Sequence, residues 1–333
     1  MQIYKFNSIL KRVLWGGNKL VPFKGLPPQD VPIGESWELS ALPGKESVVA
    51  DGPDRGLTLN ELVQRYGADL VGEDVWHRYG NTFPLLIKLI DAKRDLSIQV
   101  HPGDEQAMRD HGCKGKTEMW YILDADEGAT ITTGFNKPIT PQVFDRSLVE
   151  GTILDVVNRT VSKPGDVFFI PSGQIHSIGA GNLLVEVQQS SDITYRVFDY
   201  NRRDADGKLR ELHTVQAREA LHYDVVDSKV SYGPVATGAI TPMLSCPEFD
   251  VRLMDILDCN TIPLPAPHSF VALVCITGET TVTASGMASA TLRRGMTALV
   301  PAAATSIAFI GSARLLAVTV PASENNHQDQ TTI

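Results

Sequence analysis

The sequence predicts a mainly β protein built as two β-barrels in tandem with a few short α-helices, and three observations carry that expectation. Between residues 119 and 197, apolar runs of strand length follow one another at 119–123, 129–133, 167–170 and 183–187, separated by turn residues at the regular intervals of a sandwich or barrel. From 242 to 321 the chain becomes poor in charge and rich in Val, Ala, Thr and Ile, the composition of a second β unit. The two regions also share a frame. The first reads Gly165, five residues, Pro171, one residue, Gly173, two residues, His176; the second reads Gly295, five residues, Pro301, one residue, Ala303, two residues, Ser306. The spacing survives while the second glycine and the histidine are lost, as in two related barrels of which one keeps a working rim. The expected organisation is a first unit that keeps its rim over residues 1–232, a degenerate barrel over 233–321 and a polar tail over 322–333.

Taken in order, residues 1–95 alternate short apolar runs with turns such as Trp15-Gly16-Gly17 and Lys24-Gly25-Leu26-Pro27-Pro28, which suits strands and loops. One clear helix interrupts them. Thr58 with Glu61 forms a capping box, Leu59, Leu62, Val63 and Tyr66 share a face, and Gly67 stands at the C-terminal cap. A second short helix is expected over 104–111, with Asp104 as N-cap and Gly112 as terminator, and a third over about 214–222.

At 333 residues and 43% apolar content the chain can bury a sizeable core. A formal net charge of −9 argues against a nucleic-acid partner, which needs a basic face to displace phosphate counterions. No stretch reaches the length of a membrane span, and the N-terminus lacks the uninterrupted apolar core of an export signal. Cys113, Cys246, Cys259 and Cys275 show neither C-x-x-C spacing nor pairing pattern, so each reads as a small hydrophobe and a reducing cytoplasm is the expected setting.

Three stretches hold residues able to bind a metal: Ser97-Ile98-Gln99-Val100-His101-Pro102, Gly115-Lys116-Thr117-Glu118-Met119-Trp120 and Pro171-Ser172-Gly173-Gln174-Ile175-His176. Gln99 and His101, two apart in a strand, project to one face, while Glu118 and His176 flank the apolar runs at 119–123 and 167–170. Two imidazoles, a carboxylate and an amide oxygen suit Zn²⁺ with one position left for water or substrate. A lone histidine is more often a hydrogen-bonded core or surface residue, and His77, His111, His213, His222, His268 and His327 are read that way.

The frame ending at His176 resembles the second motif of the cupin superfamily. Leu96-Ser-Ile-Gln-Val-His-Pro102, Gly115-Lys-Thr-Glu-Met-Trp-Tyr121 and Gln188-Gln-Ser-Ser-Asp-Ile-Thr-Tyr-Arg-Val-Phe-Asp199 are similar to the type I mannose-6-phosphate isomerases. Trp15-Gly-Gly17, Gly34-Glu-Ser-Trp-Glu-Leu-Ser40 and Arg210-Glu-Leu-His213 resemble their short bacterial class. The resemblance implies a jelly-roll cupin fold and one zinc per chain held by Gln99, His101, Glu118 and His176. It also implies Lys116, Glu186 and Arg196 lining the site, Ser97 and Trp15 near the substrate, and mannose 6-phosphate and fructose 6-phosphate as the pair interconverted. The chain departs from the long-form relatives at Gly103-Asp104, where they carry a lysine, and at Ala180, where an asparagine usually closes the motif. Glu186 suits the general base or a positioning role equally at this stage. A cupin dioxygenase would call for more imidazoles and a redox metal, and a non-catalytic sugar-binding cupin would not need every residue of the first barrel in working order.

Overall fold

A computed structural model describes residues 1–203, 206–262 and 269–323. The mainly β expectation holds, and the strands form three sheets rather than closed barrels. A seven-stranded sheet orders its strands Lys229–Val230, Val167–Ile170, Glu118–Ala125, Asn182–Gln189, Leu85–Ala92, Glu35–Leu39 and Ile9–Lys11. Against it lies a five-stranded sheet ordered Tyr195–Phe198, Ile98–Val100, His176–Ile178, Thr130–Phe135 and Val157–Val161. Together they make a jelly-roll sandwich. A nine-stranded sheet comprises the C-terminal strands together with Tyr4–Asn7 and Val48–Val49.

Alternation along the seven-stranded sheet explains how it serves two cores at once. Leu85, Ile87, Leu89, Met119, Tyr121, Val185 and Val187 face one layer, shared with Phe270, Ala272, Val274, Leu316 and Val318 of the C-terminal sheet. Ile90, Trp120, Ile122 and Leu184 face the sandwich interior with Trp15, Ile131 and Phe168. The C-terminal sheet alternates in the same way, sending Leu273, Cys275, Leu292, Phe309 and Leu315 into an apolar interior of its own. Its two longest strands, Val271–Ala284 and Ile307–Thr319, bend so that each pairs with different neighbours along its length. Gly278 permits the bend: at φ +75° it also lies so close to its partner strand that a Cβ would stand 2.1 Å from the Ser312 carbonyl oxygen.

The first strand pairs outside its own sequence neighbourhood, with Tyr4 opposite Leu299 and Lys5 opposite Ala298. Sheet pairing therefore crosses the division at residue 232. The helix Leu59–Tyr66 forms with its capping box in place, Glu61 N–H donating to Thr58 Oγ1 and Thr58 N–H to Glu61 Oε2. Two further helices, Ala68–Val71 and Glu73–Tyr79, follow where the sequence reading placed strands and loops. The helix Asp104–His111 ends at Gly112 in the left-handed region, as expected. Its N-cap, however, is Gly103. Asp104 lies in the first turn with its carboxylate turned out to accept from Gly115 N–H, Lys114 and Gln189. Pro141–Val149, capped by Thr140, is a helix that the sequence reading did not mark, and the third expected helix spans Thr214–Ala220. No helix among the described residues is long and apolar enough to cross a membrane. The expected tail lies outside the described residues from position 324 onward.

Candidate active site

Two rows of side chains meet inside the sandwich, and register puts them there. On the five-stranded sheet, His176 stands opposite Gln99 on one side and Thr133 on the other, and Gln99 stands opposite Arg196. Ile98 and Val100 point to the outer apolar layer with Phe144 and Leu221, so Gln99 between them points inward. On the seven-stranded sheet, Glu186 is opposite both Lys88 and Trp120, and Gln188 is opposite Glu118. The sequence motifs at 97–102, 115–120 and 171–176 thus converge although they come from different sheets.

His101 Nδ1 and His176 Nδ1 each lie 2.8 Å from a backbone carbonyl oxygen, that of Ile193 and of Gln174 respectively. A carbonyl can only accept, so each Nδ1 carries the proton and each neutral ring turns a bare Nε2 lone pair inward. The two Nε2 atoms are 3.1 Å apart. Glu118 Oε1 is 3.3 Å from His176 Nε2 and Oε2 is 3.6 Å from His101 Nε2. Neither carboxylate oxygen has a hydrogen-bond partner among the described residues, although Glu118 is fully buried. Lys116 Nζ stands 3.2 Å from Oε2, at ion-pair distance but outside hydrogen-bond geometry.

Burial pushes the His101 pKa well below the usual imidazole value and lowers that of His176 to about 4, with the positive charge of Lys116 adding to both. Burial lifts Glu118 to about 7, against the pull of Lys116 and with the push of Glu186. Two neutral lone pairs and an unpartnered buried carboxylate facing one another are unfavourable alone and become favourable around a cation. Their ligand atoms all lie within 4.8 Å of one another. The donor set fits a divalent metal with nitrogen and oxygen preference. Gln99 borders the same point, its Nε2 3.2 Å from His176 Nε2 and its Oε1 accepting from Ser97 Oγ at 3.3 Å. Turning that amide by half a rotation would present its oxygen as a fourth ligand.

Beside this cluster lies a buried pair. Lys88 Nζ is 2.7 Å from Glu186 Oε1, and Trp120 Nε1–H donates to Glu186 Oε2 at 2.9 Å. Burial alone would raise Glu186, but Lys88 and Lys116 outweigh it and bring its pKa to about 2. Lys88, also buried, is held charged by Glu186 and by Glu35 despite desolvation, and its ammonium lies 5.3 Å from the Trp37 ring centroid. Sequence reasoning missed Lys88. Its position inside an eight-residue buried strand leaves no local signal except the oddity of a lysine there.

The other expected residues fall as follows. Trp15 packs in the interior cluster with Trp120, and Lys93 N–H donates to its carbonyl. Arg196 sits on the edge strand beside Gln99, its Nη1 donating to the Glu211 carbonyl at 2.9 Å while its buried Nε has no partner among the described residues. Burial lowers its pKa, helped by Arg210. Arg202 and Arg210 both hold Asp199 nearby. The remaining histidines show local roles: His111 meets the Tyr195 hydroxyl at 2.9 Å, and His213 Nδ1 accepts from Arg196 N–H. His268 and His327 lie outside the described residues.

Residues 3–135 match the family model described as phosphomannose isomerase type I, catalytic domain. That span includes Gln99, His101 and Glu118. The mannose-6-phosphate isomerase ManA of Bacillus subtilis is 36% identical over 272 residues, covering 81% of this chain and 84% of that protein. The mannose-6-phosphate isomerase of Streptococcus mutans is 34% identical over 93% of this chain and 96% of its own length. A crystal structure of the mannose 6-phosphate isomerase from Bacillus subtilis superposes with a TM-score of 0.86 at 32% identity, covering 96% of this chain and 99% of that one.

Proposed function

Since the chain belongs to the type I mannose-6-phosphate isomerases, we propose that it interconverts mannose 6-phosphate and fructose 6-phosphate through an enediol, with one zinc ion held by His101, Glu118, His176 and Gln99. The observation that carries this reading is the convergence of two bare imidazole lone pairs and a buried carboxylate without a partner among the described residues, with two lysines buried nearby. When bound, the zinc would supply Lewis-acid polarisation of the sugar oxygens at C1 and C2. The protein's own groups divide the remaining work.

Moving a proton between C1 and C2 builds negative charge on those oxygens, which cations fixed in advance in a water-poor site stabilise. Lys116 is such a cation, buried beside Glu118. Arg196 is another: its Nε–H has no partner among the described residues, and the guanidinium donors not used by the Glu211 carbonyl suit an anionic oxygen, whether enediolate or phosphate. A general base needs an uncommitted lone pair and a pKa near the working pH. Glu186 has both oxygens engaged, by Lys88 and Trp120, and a pKa near 2, so we assign it to positioning: it holds Lys88 and the Trp120 wall in place. We read residues 1–232 as the catalytic unit and 233–321 as its support.

The test is a coupled assay of mannose 6-phosphate to fructose 6-phosphate conversion on protein as isolated, after chelation and after restoring zinc. Turnover should vanish on chelation and return with zinc in one-to-one proportion. Full activity in demonstrably metal-free protein would refute the reading.

A further inference from the structure

Two cavities of about 520 and 580 Å³ lie where the catalytic sandwich meets the C-terminal sheet, away from the metal cluster, and Phe23 and Arg294 line both. Six cations border them: Lys5, Lys24 and Arg293 the first, Lys19 and Arg314 the second, and Arg294 the two together. Five are already matched. Lys5 pairs with Asp51, Lys19 with Asp124 and Asp126, Lys24 with Glu38, Arg293 with Glu279 and Arg314 with Asp255. Arg294 alone among them has no carboxylate among the described residues. Its Nε reaches the Phe23 carbonyl at 3.2 Å and its Nη2 the Pro22 carbonyl at 3.4 Å, with the guanidinium 5.6 Å from the Phe23 ring centroid. These contacts hold the fork in a set direction while using few of its five donors.

A second observation points the same way. Thr297, buried on the wall of the first cavity, has a hydroxyl with no hydrogen-bond partner among the described residues. Beside it the joint is tight: Lys24 Nζ donates to the Gly295 carbonyl at 2.7 Å and to Glu38 at 2.6 Å. The residues that frame the cavity are therefore fixed before anything binds. An oriented guanidinium with no counter-charge among the described residues favours a compact anion, and a planar fork matches phosphoryl oxygens two at a time. The volumes suit a small phosphorylated metabolite.

We propose that this joint is a second binding site, separate from the catalytic centre, for a small phosphorylated molecule anchored by Arg294. The probe is inorganic pyrophosphate, titrated calorimetrically into the zinc-loaded enzyme with its catalytic site saturated by mannose 6-phosphate and fructose 6-phosphate at equilibrium. Pyrophosphate should bind under those conditions, and Arg294→Ala should weaken it by about tenfold or more while leaving kcat and KM for mannose 6-phosphate unchanged. Arg294→Lys, which keeps the charge and loses the fork, should fall between the two and covers the case in which the alanine variant folds poorly. Binding unaltered in both variants, or no pyrophosphate binding either with or without sugar phosphate, would overturn the proposal. Because the readout is pyrophosphate affinity, it fails or succeeds independently of the isomerase assay.

Discussion

Two regions of this molecule fill their interiors with opposite materials. In the sandwich of the first half the interior holds Lys88, Lys116, Glu118, Glu186, His101 and His176, all buried. In the folded sheet of the second half the equivalent space holds Leu273, Cys275, Leu292, Phe309 and Leu315. The turns correspond: Gly165 and Gly295 have φ of +90° and +80°, each leading into a four-residue strand, Val167–Ile170 and Thr297–Val300. Past that strand they diverge. The first chain segment brings His176 beside His101 and Glu118, whereas the second gives the amides of Ala302 and Ala303 to the carbonyls of Leu70 and Asp69 and leaves Ser306 exposed. A frame that positions a ligand in one half is an adhesive edge in the other. Buried charge contributes little net stability, so the apolar layer shared with the second half, beside the sandwich's own apolar clusters, is expected to stabilise the interior that holds these charged groups.

That division can be broken most severely by truncation. Ending the chain after Tyr232 would strip Phe270, Val274, Leu316 and Val318 from the layer they share with Leu85, Ile87 and Val185. The expected outcome is no soluble folded protein, scored by expression and circular dichroism; a monomeric, active fragment would show that the first half is self-sufficient. His176→Ala comes next. It should leave the thermal transition near that of the metal-free parent, remove bound zinc by elemental analysis, and reduce turnover by about a thousandfold or more, an effect equal to roughly 4 kcal/mol of lost transition-state stabilisation.

A third experiment separates charge from packing. Lys88→Met leaves Glu186 buried without its partner and should cost about 3–5 kcal/mol in a denaturant titration, together with most of the turnover. Adding Glu186→Gln should recover much of the stability and none of the activity. Recovery of both would mean that the pair is structural only.

Acid sharpens the comparison at smaller scale. Burial opposes ionisation of Asp199, but hydrogen bonds from Arg210 and Arg202 more than compensate, so its pKa is depressed in the fold. A depressed carboxylate contributes stability above its unfolded pKa of about 3.9 and loses it as pH falls through the lower folded value. The melting difference between parent and Asp199→Asn should therefore be widest at neutral pH and close below about pH 4. The smallest expected effect is Ser306→Ala, for which kcat, KM and zinc content should all match the parent.

Legibility from sequence followed locality. The expected ligand residues lie in short local motifs: Gln99 within and His101 just after the strand Ile98–Val100, Glu118 opening Glu118–Ala125 and His176 opening His176–Ile178. The capping box at Thr58 was equally local. Thr140-Pro141 offered the same kind of signal, an N-cap followed by proline in the first turn, and would have found the helix Pro141–Val149. Lys88 could not be read. Its meaning depends on lying across from Glu186, ninety-eight positions away, and register between distant strands leaves no trace in local pattern. Arg294 is hidden for the same reason: that it has no counter-charge among the described residues emerges only where distant parts of the chain meet.

The pairing of Tyr4 with Leu299 sets a timetable for synthesis. At about 5–20 residues per second, the first strand waits about 15–60 s before its partner leaves the ribosome. During that interval the sandwich can assemble around strands that are already present, but its N-terminal edge stays open to pairing with a neighbouring nascent chain. Lys5 within that strand and the short length of Tyr4–Asn7 both blunt such pairing. Closure waits for Leu299, so slow elongation anywhere between the two strands would lengthen the period of risk by the same delay.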